Sequence, residues 1–321
     1  MPLIYSDSLR SPFWLPNGHY QSIYPALFRK IIIPYKRERI STPDDDFLDL
    51  DWSIVNKSKT LVILSHGLEG DSTRQYITGM INLLNSNDYN CLAWNYRSCG
   101  GEMNLQPRFY HSGETSDLDL VVNHAIQKSY SNIVLMGFSL GGNVTLKYVG
   151  ERGKSILPQI TKSVVFSVPL NLAACSRHIN KPQNTIYSWR FLNTLKPKIK
   201  SKSILFPEIF DIKQWNNIKT IWQFDDVYTG PLHGFKNAAD YYEQSSSMNF
   251  IEQIAIPTLI VHAKNDPLVP YTSFPLDKFK SLPNVWLELT TEGGHCGFTP
   301  KQTSSKYAYW SELRALDFIR K

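Results

Sequence analysis

The sequence has few of the features that mark a secreted, membrane-spanning or metal-binding protein. Its four cysteines, Cys91, Cys99, Cys175 and Cys296, are scattered and form no CxxC pair, which favours free thiols over disulfides or zinc ligands. No run of about 18 apolar residues marks a transmembrane helix, and the amino terminus shows no signal-peptide core. No histidine pair has HxH or HExxH spacing. These absences predict a soluble, cytoplasmic protein that uses no metal or other cofactor.

Acidic residues are missing from one long segment, 171–207, which holds seven Lys and Arg residues. This segment is enough to account for the whole net charge of +6, so the rest of the chain is nearly neutral. A chain with that distribution is not expected to bind nucleic acid. The basic run 177–202 is interleaved with Trp189, Phe191 and Ile199. It is open whether this run contacts anionic lipid headgroups or is a solvated charged face.

Short apolar runs rich in β-branched residues predict buried strands at 60–67, 89–97, 131–138, 162–169, 257–266 and 284–294. Helical periodicity lies between and after them, at 74–86, 116–130, 142–152 and 307–320. This alternation predicts an α/β fold, a mostly parallel sheet with helices on both faces. Ahead of it, 47–55 alternates apolar and polar residues, which predicts a half-exposed antiparallel strand at the edge of the sheet.

The alternation stops between 171 and 250, a segment that is aromatic, basic and helical in patches. We expect 1–170 and 251–321 to form one core and 171–250 to be a cap inserted between two core strands. Ligands of open α/β sheets bind beyond the carboxyl ends of the strands. A cap inserted after a strand is well placed to cover that edge.

Ser139 is the candidate nucleophile, because it stands in the sequence GFSLGG between a predicted strand and a predicted helix. That order is typical of a nucleophile elbow, in which glycines at 137 and 141 let a sharp turn close. The alternative for such a sequence is an ordinary serine in a glycine-rich loop. The helix that follows would add amide donors and a positive dipole for a developing anion.

A serine hydroxyl needs a base to take its proton and a carboxylate to orient that base. Asp266 ends the predicted strand 257–266, and His295 follows the predicted strand 284–294. The order Ser, Asp, His is the one found in α/β-hydrolases, and all three residues end strands at one edge. We therefore predict a triad of Ser139, Asp266 and His295.

Other residues compete for these roles. The chain has eight histidines, of which His262 is expected inside a strand and His66 in a structural role. Asp225 and Asp226 are the rival acids, but they lie in the predicted cap. For an oxyanion hole, the backbone N–H groups of Leu68 and Leu140 are expected to converge, since they follow the first long strand and the nucleophile.

Beyond the triad, the sequence resembles the YheT-like (AB-hydrolase-4) family of the α/β-hydrolase superfamily. The resemblance is carried by PNGHYQS (16–22), SHGLEGDS (65–72), NYRSCGGEMN (95–104), YHSGET (110–115), GFSLGGN (137–143), FDDVYTGPLHGF (224–235), DYYEQSS (240–246), NDPLVP (265–270) and GGHCGF (293–298). It implies a serine hydrolase, mostly of esters, with the same triad. The family's RGCSGE pattern would place glycine and serine where this chain has Ser98 and Gly100, in a loop expected to line the site.

The sequence thus predicts a serine esterase for a small-molecule or lipid ester of short to medium acyl chain. An acyltransferase that passes the acyl group to an alcohol is the nearest alternative, and a non-catalytic binding protein on the same fold is another. The predicted cap has several aromatic residues that either line an acyl pocket or only pack the cap onto the core, namely Tyr187, Trp189, Phe191, Trp215, Trp222 and Tyr228.

Overall fold

A computed structural model of the protein describes residues 2–55, 57–301 and 308–321. Its strands are β1 (Leu3–Ser6), β2 (Lys36–Ser41), β3 (Phe47–Ser53), β4 (Thr60–Ser65), β5 (Asn90–Asn95), β6 (Asn132–Phe138), β7 (Ile160–Phe166), β8 (Thr258–Ala263) and β9 (Val285–Thr290). Its helices are α1 (Gly18–Phe28), α2 (Gln75–Asn85), α3 (Thr115–Gln127), α4 (Leu140–Arg152), α5 (Leu172–Ile179), α6 (Thr185–Leu205), α7 (Ile221–Phe224), α8 (Gly230–Leu232), α9 (Ala238–Ser245), α10 (Leu276–Phe279) and α11 (Trp310–Arg320).

The strands form one sheet in the order β1-β9-β8-β7-β6-β4-β5-β3-β2. Every neighbouring pair is parallel except the two pairs that β3 makes with β5 and β2. In a parallel sheet the carboxyl ends of the strands meet at one edge. The ends of β4, β6, β8 and β9 therefore bring their loops together.

The strand β4 shows why the sheet needs helices on both faces. Leu61 and Ile63 point into one apolar cluster with the inner sides of α3 and α4. Val62 and Leu64 point into a second cluster with α2 and α11. All four side chains are buried, since successive strand residues alternate between faces and both faces are covered.

The predicted fold class is confirmed, with the six predicted buried strands present as β4 to β9. The predicted helices are present as α2, α3, α4 and α11. Residue 307, where the last helix was expected to begin, lies outside the described residues. No helix of the described part of the chain is long and apolar enough to cross a membrane.

The prediction for 47–55 was right that the strand is antiparallel, but wrong that it is half exposed at the edge of the sheet. The strand β3 is antiparallel, but β2 covers its outer side and all of its residues are buried. Asp49 and Asp51 are the polar residues of the alternation, and they are buried in ion pairs with Arg39 and Arg37 of β2. Polar residues were therefore mistaken for solvent-facing ones, although they face cations of the next strand.

The segment 171–250 lies between β7 and β8 and contains helices but no strand. It covers loops at the carboxyl edge of the sheet. Lys198 of α6 contacts Glu69 in the loop after β4, and Lys202 contacts the carbonyl oxygen of Asn104 in the loop after β5. The division of the chain into a core and this cap stays a prediction.

Candidate active site

Ser139 lies in a sharp turn between β6 and α4. Its backbone has φ 53° and ψ −121°, in the left-handed half of the map that residues with a side chain rarely adopt. A Cβ on Gly137 would collide with the carbonyl of Gly141, and one on Gly141 would collide with the carbonyl of Ser65. The two glycines therefore allow the turn to pack against β4, and the Ser139 hydroxyl stands clear at the edge of the sheet.

His295 connects the other two predicted residues. Its Nε2 lies 2.9 Å from Oγ of Ser139, and its Nδ1 lies 2.8 Å from Oδ2 of Asp266. The second oxygen of Asp266 accepts hydrogen bonds from the backbone N–H groups of Leu268 and Val269, at 2.8 and 3.0 Å. The structure thus places Ser139, His295 and Asp266 in one hydrogen-bonded chain.

The carboxylate of Asp266 is buried, with its side chain fully shielded from solvent. Burial alone would raise its pKa, but His295 and the backbone N–H groups hold the pKa below its ordinary value. Asp266 therefore stays ionised beside the ring. A carboxylate in this position fixes the tautomer of His295, with Nδ1 donating and Nε2 free to accept a proton from Ser139.

Two residues of α1 that were not predicted as site residues, Gln21 and Ser22, support the histidine loop. The backbone N–H of His295 donates to Oγ of Ser22 at 2.8 Å. Oε1 of the buried Gln21 accepts from the N–H of Gly293 and from the side-chain amide of Asn265, both at 2.8 Å. Gln21 thus joins the loops of the candidate base and acid. Both residues lie in the motif PNGHYQS, which is the sequence feature that could have pointed to them.

The two residues predicted to supply the oxyanion donors both lie near the candidate nucleophile. Leu68 and Leu140 line the same cavity as Ser139. The loop that carries Leu68 is close to the elbow, since a Cβ on Gly67 would lie 3.2 Å from Cβ of Ser139. Among the described residues, neither the N–H of Leu68 nor that of Leu140 donates to another atom. Both donors are available to a ligand oxygen.

The rival histidine and acid do not hydrogen-bond to Ser139, His295 or Asp266. His66 is fully buried, with Nδ1 at 2.8 Å from the carbonyl of Gly67 and Nε2 accepting from the N–H of Tyr96. Burial lowers the pKa of His66 to about 4, so the ring is neutral and holds the loop. Asp225 accepts from Thr229 and Tyr242 rather than from a histidine.

Two cavities meet at Ser139 and His295. The first lies under the segment 171–250 and is open to solvent, and its empty space, solvent at the opening included, is about 1070 Å³. Apolar side chains of α5, α6 and α7 form much of its wall, Phe191 of α6 among them, and Tyr228, which follows α7, also lines it. The second opens between α1 and α6, whose side chains touch where Nδ1 of His19 lies 3.1 Å from the hydroxyl of Tyr187.

Of the six aromatic residues predicted either to line a pocket or to pack the cap, some line a cavity, some pack against other side chains, and one does neither. Phe191 and Tyr228 line the first cavity and Tyr187 lines the second. Trp215 packs against Phe224 and Tyr228 instead. Trp189 does neither, because 65% of it is exposed.

The loop 95–104 was expected to line the site, but none of its residues lines either cavity. Ser98 has φ 62°, the left-handed conformation that explains why relatives would place glycine there. Its hydroxyl donates to Oδ1 of Asn104 and accepts from the N–H of Asn104. The serine therefore stabilises the loop by local hydrogen bonds.

The basic stretch 177–202 is divided between solvent and interior. Lys198 and Lys202 point inward, and Lys202 is fully buried against carbonyl oxygens of the loop 95–108. Burial lowers the pKa of Lys202 to about 8. The other cations of the stretch are exposed, namely Arg177, Lys181, Arg190, Lys196 and Lys200.

Comparisons with known proteins agree with this geometry. Residues 60–301 match the profile of the family described as the alpha/beta hydrolase fold. YheT of Escherichia coli strain K12 is 35% identical to this chain, over 94% of this chain and 90% of that protein. The chain belongs to the α/β-hydrolase fold family. Its resemblance to YheT-like members of the family is also confirmed by this identity.

Further relatives of this α/β-hydrolase have lipid-related names. The phospholipase ABHD3 of Mus musculus is 33% identical, over 85% of this chain and 69% of that protein. The monoacylglycerol lipase of Saccharomyces cerevisiae is 30% identical, over 85% of this chain and 61% of that protein.

Solved structures give the same fold at lower identity. The Pyrococcus furiosus esterase Pf2001 has a TM-score of 0.55 and 20% identity, covering 90% of this chain and 92% of that one. DcsB, solved with a substrate analogue, has a TM-score of 0.58 and 15% identity, covering 89% and 98%. Likeness at these identities supports the α/β-hydrolase fold alone.

No group of three or more histidine, cysteine, aspartate or glutamate side chains lies close enough to hold a metal ion in the part of the chain that the structure describes. The residues at the site are those of acid–base and nucleophilic chemistry.

Proposed function

We propose that this α/β-hydrolase cleaves carboxylic esters of short or medium acyl chain through an acyl-enzyme on Ser139. The observation that carries the proposal is the hydrogen-bonded chain from Ser139 through His295 to Asp266, at 2.9 and 2.8 Å. The coarser prediction, that the chain is a carboxylic ester hydrolase, is confirmed by relatives at 30% identity or more that are named a phospholipase and a monoacylglycerol lipase.

In the first half of the reaction, Ser139 attacks the ester carbonyl while Nε2 of His295 takes the hydroxyl proton. Asp266 stabilises the imidazolium that forms, and it keeps Nδ1 in the donor role. Negative charge develops on the carbonyl oxygen, where the N–H groups of Leu68 and Leu140 receive it. These donors are fixed before the charge develops, so their reorganisation costs little. The alcohol leaves with the proton from His295.

In the second half, water replaces the alcohol. His295 takes a proton from the water, the hydroxide attacks the acyl carbon, and the same two N–H groups hold the second oxyanion. The bond to Oγ of Ser139 breaks and the serine regains its proton from His295. The carboxylic acid is released, and the protein returns to its starting state.

The acyl chain is assigned to the first cavity. Its wall combines Leu172, Ile179, Leu195 and Phe224 with the rings of the segment 171–250, and it begins at Ser139. Apolar burial of a methylene contributes about 0.8 kcal/mol, so a cavity of this kind favours octanoyl over acetyl esters.

The test is product analysis on a series of p-nitrophenyl esters from acetate to dodecanoate, with wild type and Ser139→Ala. We expect saturable hydrolysis by wild type with a medium-chain optimum, and none above background with the variant. Adding glycerol shows whether water or an alcohol accepts the acyl group. If acylglycerol replaces free acid as the main product, the chain is an acyltransferase. Equal rates for the two proteins would contradict the proposal.

Contact with an anionic membrane through 177–202 and a cytoplasmic location also stay proposals. Membrane contact is supported by the exposed cations of the stretch. It is also supported by Trp189 and Ile186 of α6, which are 65% and 57% exposed. Flotation with phosphatidylserine vesicles at low salt tests it. We expect co-flotation that is lost at high salt, and no flotation at low salt would contradict it.

A further inference from the structure

The second cavity has an excess of positive charge beside the reacting groups. Arg74 and Arg190 line it together with Ser139 and His295. Glu69 is the one carboxylate among its lining residues, and Lys198 already neutralises that carboxylate at 2.8 Å. The two guanidinium groups are therefore not balanced by an acid of this cavity.

The two arginines differ in how they are held. Arg74 precedes α2, and its Nη2 donates to the carbonyl oxygen of Glu69 at 2.6 Å. Arg190 lies on the exposed side of α6, and the described residues give its guanidinium no hydrogen bond or ion pair. Arg190 is exposed as a whole, but partial burial of its guanidinium at the cavity and the charge of Arg74 both lower its pKa. Two like charges thus face one opening, a costly arrangement unless an anion enters between them.

The second cavity is suited to the alcohol part of an ester, whereas the first cavity is suited to the acyl part. An acyl chain has no polar atom and belongs against the apolar wall under 171–250. The alcohol part must then leave on the remaining side of Ser139, toward α1 and α6. A guanidinium presents paired donors that match the oxygens of a phosphate or a carboxylate.

We propose that Arg74 and Arg190 bind an oxyanion, a phosphate or a carboxylate, carried by the leaving alcohol of the substrate. This inference rests on the proposed function and names the substrate class of the same site. The ester and water give a carboxylic acid and an alcohol that keeps its anionic group, so the arginines take no part in bond breaking. Their effect is on binding and on orientation of the ester.

The experiment compares three octanoyl esters below their micelle concentrations, so that no lipid interface contributes. They are 1-octanoylglycerol, which is neutral, 1-octanoylglycerol 3-phosphate, and O-octanoyl-lactate, which carries a carboxylate. The readout is the ratio of kcat/KM for each anionic ester to that for the neutral ester. We expect wild type to prefer at least one anionic ester by about tenfold, the order of one charge-assisted hydrogen bond. Which ester is preferred distinguishes phosphate from carboxylate.

The test variant is Arg190→Gln, because Arg74 also holds a carbonyl next to Leu68 and its loss would disturb the predicted oxyanion hole. In Arg190→Gln the ratio is expected to fall about tenfold, and in Arg190→Lys by less. Lys200→Gln is the matched control, since Lys200 is an exposed cation of α6 that lines neither cavity. It is expected to leave kcat/KM for all three esters unchanged.

Three outcomes would overturn the inference. Wild type without an anionic preference is one, and an unaltered ratio in Arg190→Gln is another. The third is an equal fall in Lys200→Gln, which would make the preference a property of the general surface charge. Failure of wild type to hydrolyse any of the three esters would instead contradict the proposed function on which the inference depends.

Discussion

Nζ of Lys198 lies 2.8 Å from Oε1 of Glu69, so an ion pair joins helix α6 of the segment 171–250 to the loop after β4. The hydroxyl of Tyr110 donates to the same Glu69 oxygen and accepts from the Glu69 N–H, both at 2.8 Å. Glu69 directly follows Leu68 and has φ 53°. The ion pair therefore fixes the backbone that presents the N–H of Leu68.

Lys198→Met is expected to lower kcat about tenfold or more with a smaller change in KM, because Leu68 loses its fixed position. The variant also leaves a buried Glu69 charge without its cation, which costs about 3–5 kcal/mol of stability. Steady-state kinetics on the folded fraction, with thermal unfolding measured in parallel, checks both effects.

Lys198→Arg and Lys200→Met are the controls for that experiment. Lys198→Arg keeps the charge and should restore part of kcat, whereas Lys200→Met changes an exposed residue and should have no effect. A Lys198→Met protein with wild-type kcat would show that the ion pair only stabilises the fold.

Asp266→Asn should lower kcat by about 10⁴ while the protein stays folded. The amide can no longer stabilise the imidazolium, and it can turn its NH₂ toward Nδ1 of His295, which favours the wrong tautomer. The backbone bonds from Leu268 and Val269 can still reach the amide oxygen. Stopped-flow measurement of the acylation step checks this. A loss of less than tenfold would indicate that another acid supports His295.

Asp225 gives a prediction about stability and pH. Burial raises its pKa to about 6, from an ordinary value of 3.8, while Thr229 and Tyr242 oppose the shift. Between about pH 4 and pH 6 the folded protein keeps the proton that the unfolded chain loses. The free energy of unfolding therefore falls as pH rises through this window, by on the order of 3 kcal/mol in total.

Asp225→Asn removes that dependence, because the amide does not titrate. The stability of the variant relative to wild type should rise between pH 4 and pH 6.5 and then level off. Urea unfolding at several pH values measures it, with Glu208→Gln as a control at an exposed acid of the same segment. A difference that is the same at pH 4 and pH 6.5 would contradict the account.

The sheet was predictable where strands are apolar and was not where they are charged. Strands β4 to β9 are largely buried on both faces, so their sequences are mostly apolar. The edge strand β2 has the sequence KRERIS, and β1 has only four residues. Neither strand has an apolar pattern long enough to predict it. The position of each depends on the neighbour with which it pairs. The buried Asp49 and Asp51 made β3 look half exposed for the same reason.

Ser139, Asp266 and His295 could be selected from sequence because each follows a strand of one parallel sheet. Gln21 and Ser22 could not, since they come from α1, far away in the chain, and contact the histidine loop only in the fold. Lys198 lies in a basic run that suggested a charged surface. Its burial depends on Glu69, more than a hundred residues earlier, and no local pattern shows such a pairing.

The central claim is that Ser139 is an activated nucleophile. Labelling with a fluorophosphonate, followed by mass spectrometry of peptides from wild type and Ser139→Ala, tests it most directly. We predict one covalent adduct on Ser139 in wild type, formed at a rate that falls in His295→Ala, and none at that peptide in Ser139→Ala. No adduct in a folded wild-type protein, or an adduct on a different residue, would contradict the account.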